Sequence, residues 1–178
     1  GNVSYAEKSV MSAIKHDLKN KRSKLILAKV NYFKDRTDIA KILLNQLDGY
    51  ESKDAEVHLL YGLIALKENK PNDAMQALKT SLSIDSENLS ARMNLGVMHL
   101  KYRRLNEASI EFERVLKVDP QHSDALLHLA LIKANLGEHD KAKEIFEDTL
   151  DKDEKNPIAL FGLAVVAKAE DDLDEAVD

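Results

Sequence analysis

Between Leu89 and Tyr102 the stretch LSARMNLGVMHLKY sets apolar residues at Met93, Val97 and Leu100, and again at Leu95 and Met98, which is helical spacing. A short polar turn, RRLN, follows. The next stretch, EASIEFERVLKV, places Ala108, Phe112, Val115 and Leu116 at i, i+4, i+7 and i+8, one amphipathic face. Asp119-Pro120 ends that second helix, because the residue before a proline is driven out of the helical region. The pattern predicts a pair of helices joined by a tight turn.

The pair recurs. Alanines fall at Ala6, Ala40, Ala74, Ala108, Ala142 and Ala176, every gap being 34 residues. Twelve residues before them runs a second column of small side chains, Ala28, Gly62, Gly96, Ala130 and Ala164. Leu27, Tyr61, Leu95, Leu129 and Leu163 precede this column, and Val10, Leu44, Leu78, Phe112 and Phe146 follow the alanines by four. No insertion breaks the period. Lys70-Pro71-Asn72 and Leu136-Gly137-Glu138 read as turns within pairs; Ile84-Asp85-Ser86 and Asn156-Pro157 read as turns between pairs, with Pro157 in a first helical turn. Small residues on one helix facing alanine on the other let two backbones approach closely, and the flanking Leu and Phe fill the space around the contact. One helical hairpin cannot bury its faces alone, so such units stack.

These residues resemble the tetratricopeptide repeat (TPR), whose 34-residue unit carries Leu-Gly, then Ala-x-x-x-Phe, then Pro, here Leu95-Gly96, Ala108 with Phe112, and Pro120. The resemblance covers essentially the whole chain. It implies an all-α fold, a right-handed superhelical solenoid of antiparallel helix pairs. The family's first-helix Trp is replaced by Lys24, His58, Arg92, Leu126 and Leu160, and its Tyr by Asn31, Ala65, His99, Lys133 and Ala167. The expected organisation is a single array over 1–178. Residues 1–20 hold the second helix of an incomplete repeat, 21–54, 55–88, 89–122 and 123–156 are full repeats, and 157–178 is a truncated one in which Ala176 opens a second helix. The uncapped ends suggest a piece of a longer array, or end-to-end self-association through Val10, Ile14, Leu163 and Val166.

Composition agrees with helix: 32% charged and 44% hydrophobic residues, but only 5% aromatic, leave little of the β-branched and aromatic content that sheets draw on. The chain has no cysteine, which removes disulfides and thiolate metal sites. No apolar run approaches the ~20 residues of a membrane helix, so direct membrane insertion is not expected. The net charge of −5 is unevenly spread. Residues 1–54 hold 11 Lys/Arg against 7 Asp/Glu, whereas 105–178 hold 8 against 19.

No motif along the chain carries chemistry. None of the six histidines forms the i, i+4 pair of a helical zinc site; His58 and His99 fall at packing positions, His122 and His139 at turns. The acidic runs DKDEKNP (Asp151 to Pro157) and EDDLDE (Glu170 to Glu175) lack the glycine and spacing of a calcium loop and are expected at inter-helix turns. There is no phosphate-cradling loop and no nucleophile elbow. No metal, cofactor or catalytic residue is expected. The basic stretch KHDLKNKRSK (Lys15 to Lys24) reads as a solvated turn, and the acidic balance of the whole chain speaks against nucleic acid as partner.

A protein or peptide partner is expected instead. The family resemblance implies that first helices line the concave side of the stack. Roughly 70° round from the small column runs a mostly aliphatic stripe. It reads Leu25, Lys29 and Tyr32; Leu59, Leu63 and Leu66; Met93, Val97 and Leu100; Leu127, Leu131 and Ala134; Phe161, Val165 and Lys168. Such a stripe suits an apolar peptide or an amphipathic helix. Family members that hold chaperone C-terminal carboxylates need Lys and Asn here, and this chain has Leu25, Leu59, Leu63, Met93 and Val97. The expected function is a non-catalytic scaffold, similar in repeat style to bacterial proteins of envelope, pilus or motility assembly. A structural rod and the docking arm of a larger enzyme remain alternatives.

Overall fold

A first helix needs a partner for its leading amides, and five polar residues supply one. The side chain of Asn20 accepts from the Ser23 amide, Asp54 from Glu56, Asn88 from Ala91, His122 from Ala125 and Asn156 from Ala159. In this computed structural model residues 12, 20–49 and 52–177 are described, with 170 and 172–177 described by their backbone. The helices are α1 (Lys21–Phe33), α2 (Thr37–Asn45), α3 (Ala55–Lys67), α4 (Pro71–Ile84), α5 (Leu89–Lys101), α6 (Leu105–Val118), α7 (Ser123–Asn135), α8 (His139–Leu150) and α9 (Pro157–Val177). No strand occurs among the described residues. First helices start at Lys21, Ala55, Leu89, Ser123 and Pro157, and second helices at Thr37, Pro71, Leu105 and His139, both in steps of 34. The fold is the all-α array of antiparallel helix pairs.

Four first helices, α1, α3, α5 and α7, are closed by the same backbone device. The amides of Arg36, Lys70, Arg104 and Glu138 donate to the carbonyls of Asn31, Ala65, His99 and Lys133 at 2.9–3.0 Å, a 6→1 bond. That bond needs a left-handed residue just before it. Asp35, Asn69, Arg103 and Gly137 fill the place with φ of 58°, 55°, 56° and 86°.

The chain divides into two compact units, Gly1–Ala91 and Arg92–Asp178, with the boundary inside α5. In the first, α1 packs along α2 and α3 along α4. The core gathers Ala28, Ala40, Leu44, Val57, Tyr61, Ile64 and Ala77. Tyr61 donates its hydroxyl to Asn45 at 2.5 Å, and Ser81 donates to the Ala55 carbonyl at 2.8 Å. Lys29 pairs with Glu56 and Lys41 with Glu68, tying successive repeats, and Lys21 pairs with Asp48 within its own repeat.

In the second unit α7 packs along α8 and against α6, and α9 lies on both α8 and α7. Leu127, Ala130, Ala142, Phe146, Ala159 and Val166 form the core. The phenylalanines of the second helices pack against first helices. Phe112 meets Gly96 in its own repeat and stacks on His128 of the next, centroids 5.0 Å apart. Gly162 in α9 leaves its Cβ space to the Phe146 ring.

The alanine column Ala40, Ala74, Ala108 and Ala142 is fully buried, as are Ala28 and Ala130 of the other column, with Gly62 and Gly96 buried too. Ala164 departs from the expectation: it is exposed. The reason lies in α9, which runs unbroken to Val177, so among the described residues no second helix folds back over it. Glu170 to Glu175 therefore lie within a helix and not at a turn. EDDLDE contains no glycine or proline to force a break. Pro71 likewise sits at the first position of α4, inside the helix, and Lys21 to Lys24 lie in the first turn of α1. His139 is the first residue of α8, and His122 caps α7. Residues 15–19, Ala6, Val10 and Ile14 fall outside the described residues, as does the side chain of Ala176.

Candidate docking site

The aliphatic stripe on the first helices is divided by burial into three rows. In the first unit Leu25 and Leu59, at 9% and 7% exposure, belong to the core. Leu63 and Leu66 are half-buried, with Leu63 packed on that core. Lys29 is bound to Glu56. The Tyr32 ring lies under the Lys67 ammonium, 4.2 Å from its centroid, and edge-on to Phe33. Lys67 also donates to Asp35 at 2.5 Å and to the Tyr32 carbonyl at 3.1 Å. The hydrogen bond to Asp35 holds the Lys67 pKa above its usual 10.5. Polar contacts thus bind two stripe residues, Lys29 and Tyr32, to the chain itself.

The second unit is more open. Leu127 and Ala134 are buried at 1% and 3% exposure, so they contribute to the core and not to a surface. Met93, Leu100, Leu131 and Val165 are half-buried, Leu131 and Val165 packing against that core. Val97 is 42% and Phe161 59% exposed, apolar side chains left in water. Lys168 is exposed at the edge. The face that can meet a partner is therefore narrower than the stripe: Met93, Val97 and Leu100 on α5, Leu131 on α7, Phe161 and Val165 on α9.

Phe33 and Leu160, exposed at 68% and 50%, were not among the residues that helical spacing picks out. Neither stands in the stripe, and only the packing around each helix shows which remaining apolar residues stay uncovered. A separate concavity of about 250 Å³ lies between the start of α7 and the end of α8, floored by Leu126, Leu127 and Ile145 and rimmed by Asp124, Asp148 and Asp153. Lys152 stands at the same rim. No helix among the described residues is long and apolar enough to cross a membrane.

Family models described as Tetratricopeptide repeat match residues 65–136 and 129–178. Comparison of the sequence with curated proteins gave no match. Among solved structures, pilF of Pseudomonas aeruginosa superposes with a TM-score of 0.77 at 21% identity, over 99% of this chain and 81% of that one. PilW, a widely conserved type IV pilus biogenesis factor, gives 0.69 at 23% over 97% and 85%. YrrB, a TPR protein with an unusual peptide-binding site, gives 0.64 at 20% over 92% and 84%. At such identities the likeness is one of fold.

Proposed function

The chain belongs to the tetratricopeptide repeat family, whose arrays are protein-interaction scaffolds, and from that premise we propose that it is non-catalytic and grips an apolar peptide or amphipathic helix. The contact surface is the first-helix face of the second unit. The observation that carries the reading is the exposure of Val97 and Phe161, 42% and 59%, two large apolar side chains on first helices. Fully burying an exposed side chain of this size contributes roughly 1.5–3 kcal/mol, and covering the exposed part of each of these contributes about half of that. Leu63 and Leu66 offer a smaller, half-buried counterpart in the first unit. The proposed setting is assembly work of the bacterial envelope, pilus or motility kind; fold likeness to pilF and PilW supports it.

Peptides selected from a random display library on the intact chain test the reading. The expected selection is rich in Leu, Ile and Phe at helical or alternate spacing. Val97→Glu with Phe161→Glu should weaken the selected peptides at least about tenfold while leaving the unfolding midpoint in place. Polar winners, or equal binding to the double variant, would overturn it.

A further inference from the structure

Three successive repeats differ at one place, where a first helix runs beside its own second helix. In the repeat of α5 and α6 the Arg92 guanidinium takes the place and donates to Glu111 at 2.9 Å, while Arg114 donates to the same carboxylate at 3.3 Å. In the repeat of α7 and α8 the equivalent residues are Leu126, Ile145 and Asp148. Both guanidinium groups are gone. The concavity of about 250 Å³ lies there, with Leu126 and Ile145 in its floor and Asp124, Asp148 and Asp153 at its rim. In the repeat of α3 and α4, where His58, Ala77 and Thr80 hold the same places, a concavity of about 410 Å³ is open as well. The opening depends on the side chains at these places and not on where a repeat stands in the chain.

We propose that the concavity beside α7 and α8 binds an arginine side chain of a partner peptide, where the preceding repeat holds an arginine of its own. Charge specifies the occupant. Asp153 is committed to its own turn, accepting from the Lys155 amide and from Asn156 Nδ2, both at 3.4 Å. Asp124 and Asp148 form no ion pair among the described residues. The floor beneath them is aliphatic. Arginine matches both features: its methylene stem covers Leu126 and Ile145, and its planar fork of N–H groups meets the carboxylates. An apolar side chain leaves the rim unsatisfied, and a lysine ammonium is a more strongly hydrated point charge. At about 250 Å³ the space falls below the ~300–1,000 Å³ of sites for drug-sized ligands and suits one long side chain. Lys152 at the rim competes for the same carboxylates. Val97 and Phe161 do not line the concavity, so it is a site additional to the first-helix face.

An NMR titration of the intact, isotope-labelled chain with Nα-acetyl-arginine amide tests the site. Shifts should concentrate on the amides of residues 123–127 and 145–153, which border the concavity. The neutral isostere Nα-acetyl-citrulline amide should leave them in place, and Nα-acetyl-lysine amide should bind more weakly than the arginine probe. Asp124→Asn with Asp148→Asn should weaken arginine binding at least about fivefold, and Lys152→Ala should strengthen it. These three side chains are exposed, so the variants keep the fold. Leu126→Arg refills the place from within, as Arg92 does one repeat earlier, and should abolish the shifts. Absence of localised shifts overturns the proposal. So do equal shifts from the citrulline or lysine probe, or undiminished binding by the double aspartate variant.

Discussion

Gly96 lies beneath the Phe112 ring: a Cβ at residue 96 would stand 2.7 Å from Phe112 Cε1. No real Cβ keeps such a distance, so one of the two groups must move. Gly96→Val is expected to cost about 1–3 kcal/mol, read as a lower denaturant midpoint at unchanged slope. Adding Phe112→Leu, the residue type that faces Gly62, should recover part of the loss. An unchanged midpoint for the single variant would show that the two helices are not held close by this contact.

Arg92 and Glu111 form an ion pair whose side chains are only 13% and 12% exposed, with Arg114 adding a second contact at 3.3 Å. One repeat later the same places hold Leu126 and Ile145. Glu111→Ala removes the carboxylate from a nearly buried guanidinium and should destabilise by about 3 kcal/mol. Arg92→Leu combined with Glu111→Ile should be neutral or more stable than the parent, because an apolar pair carries no desolvation cost. Thermal unfolding of the single and double variants decides; a double variant as weak as the single one refutes the argument.

Arg103 adopts φ 56° where Gly137 adopts 86° in the equivalent turn. A side chain in the left-handed region meets its own backbone, so Arg103→Gly should stabilise by about 0.5–1 kcal/mol. Gly137→Ala should cost about 1 kcal/mol although nothing lies within 4 Å of the added Cβ. Opposite shifts of the two midpoints are the expected result.

His128 stacks on Phe112, and its buried Nδ1 has no hydrogen-bond partner. Burial pushes its pKa below the usual 6.5, with Asp124 pulling it partly back. The folded chain therefore binds this proton less readily than the unfolded chain. Its contribution to stability is complete above pH 6.5 and declines as pH falls through 6.5 toward the lowered value. Glu68 and Glu138, held below 4.5 chiefly by hydrogen bonds from Lys41 and Lys133, weaken the fold only at pH below 4.5. Between pH 7.5 and 5 the denaturant midpoint should fall, and His128→Leu should reduce that fall; two repeats earlier a leucine, Leu60, is buried at the same place. An identical pH slope in the variant would rule His128 out.

Two further columns share the 34-residue step but escaped a reading based on hydrophobicity. The caps Asn20, Asp54, Asn88, His122 and Asn156 are polar and chemically mixed, and so are the left-handed residues Asp35, Asn69, Arg103 and Gly137. What these positions share is a backbone task, and several side chains can perform or tolerate it. The docking face was legible only in outline. Spacing put Leu25, Leu59 and Leu127 in the same stripe as Val97 and Phe161, yet the first three are core and the last two are wet. Val97 lies about 40° round its helix from the row of Leu25, Leu59 and Leu127, whereas Phe161 stands in that row and differs only in the packing around α9.

The order of residues alone determined the helix pairs, their step and the small columns that let them close, because these follow from 3.6-residue periodicity and from side-chain volume. Tertiary structure decided where that pattern stops being satisfied. Ala164 has the composition of a buried joint and lies in water, since burial needs a second surface and α9 continues straight where a second helix would have returned. Periodicity is a property of one segment; cover is a property of two.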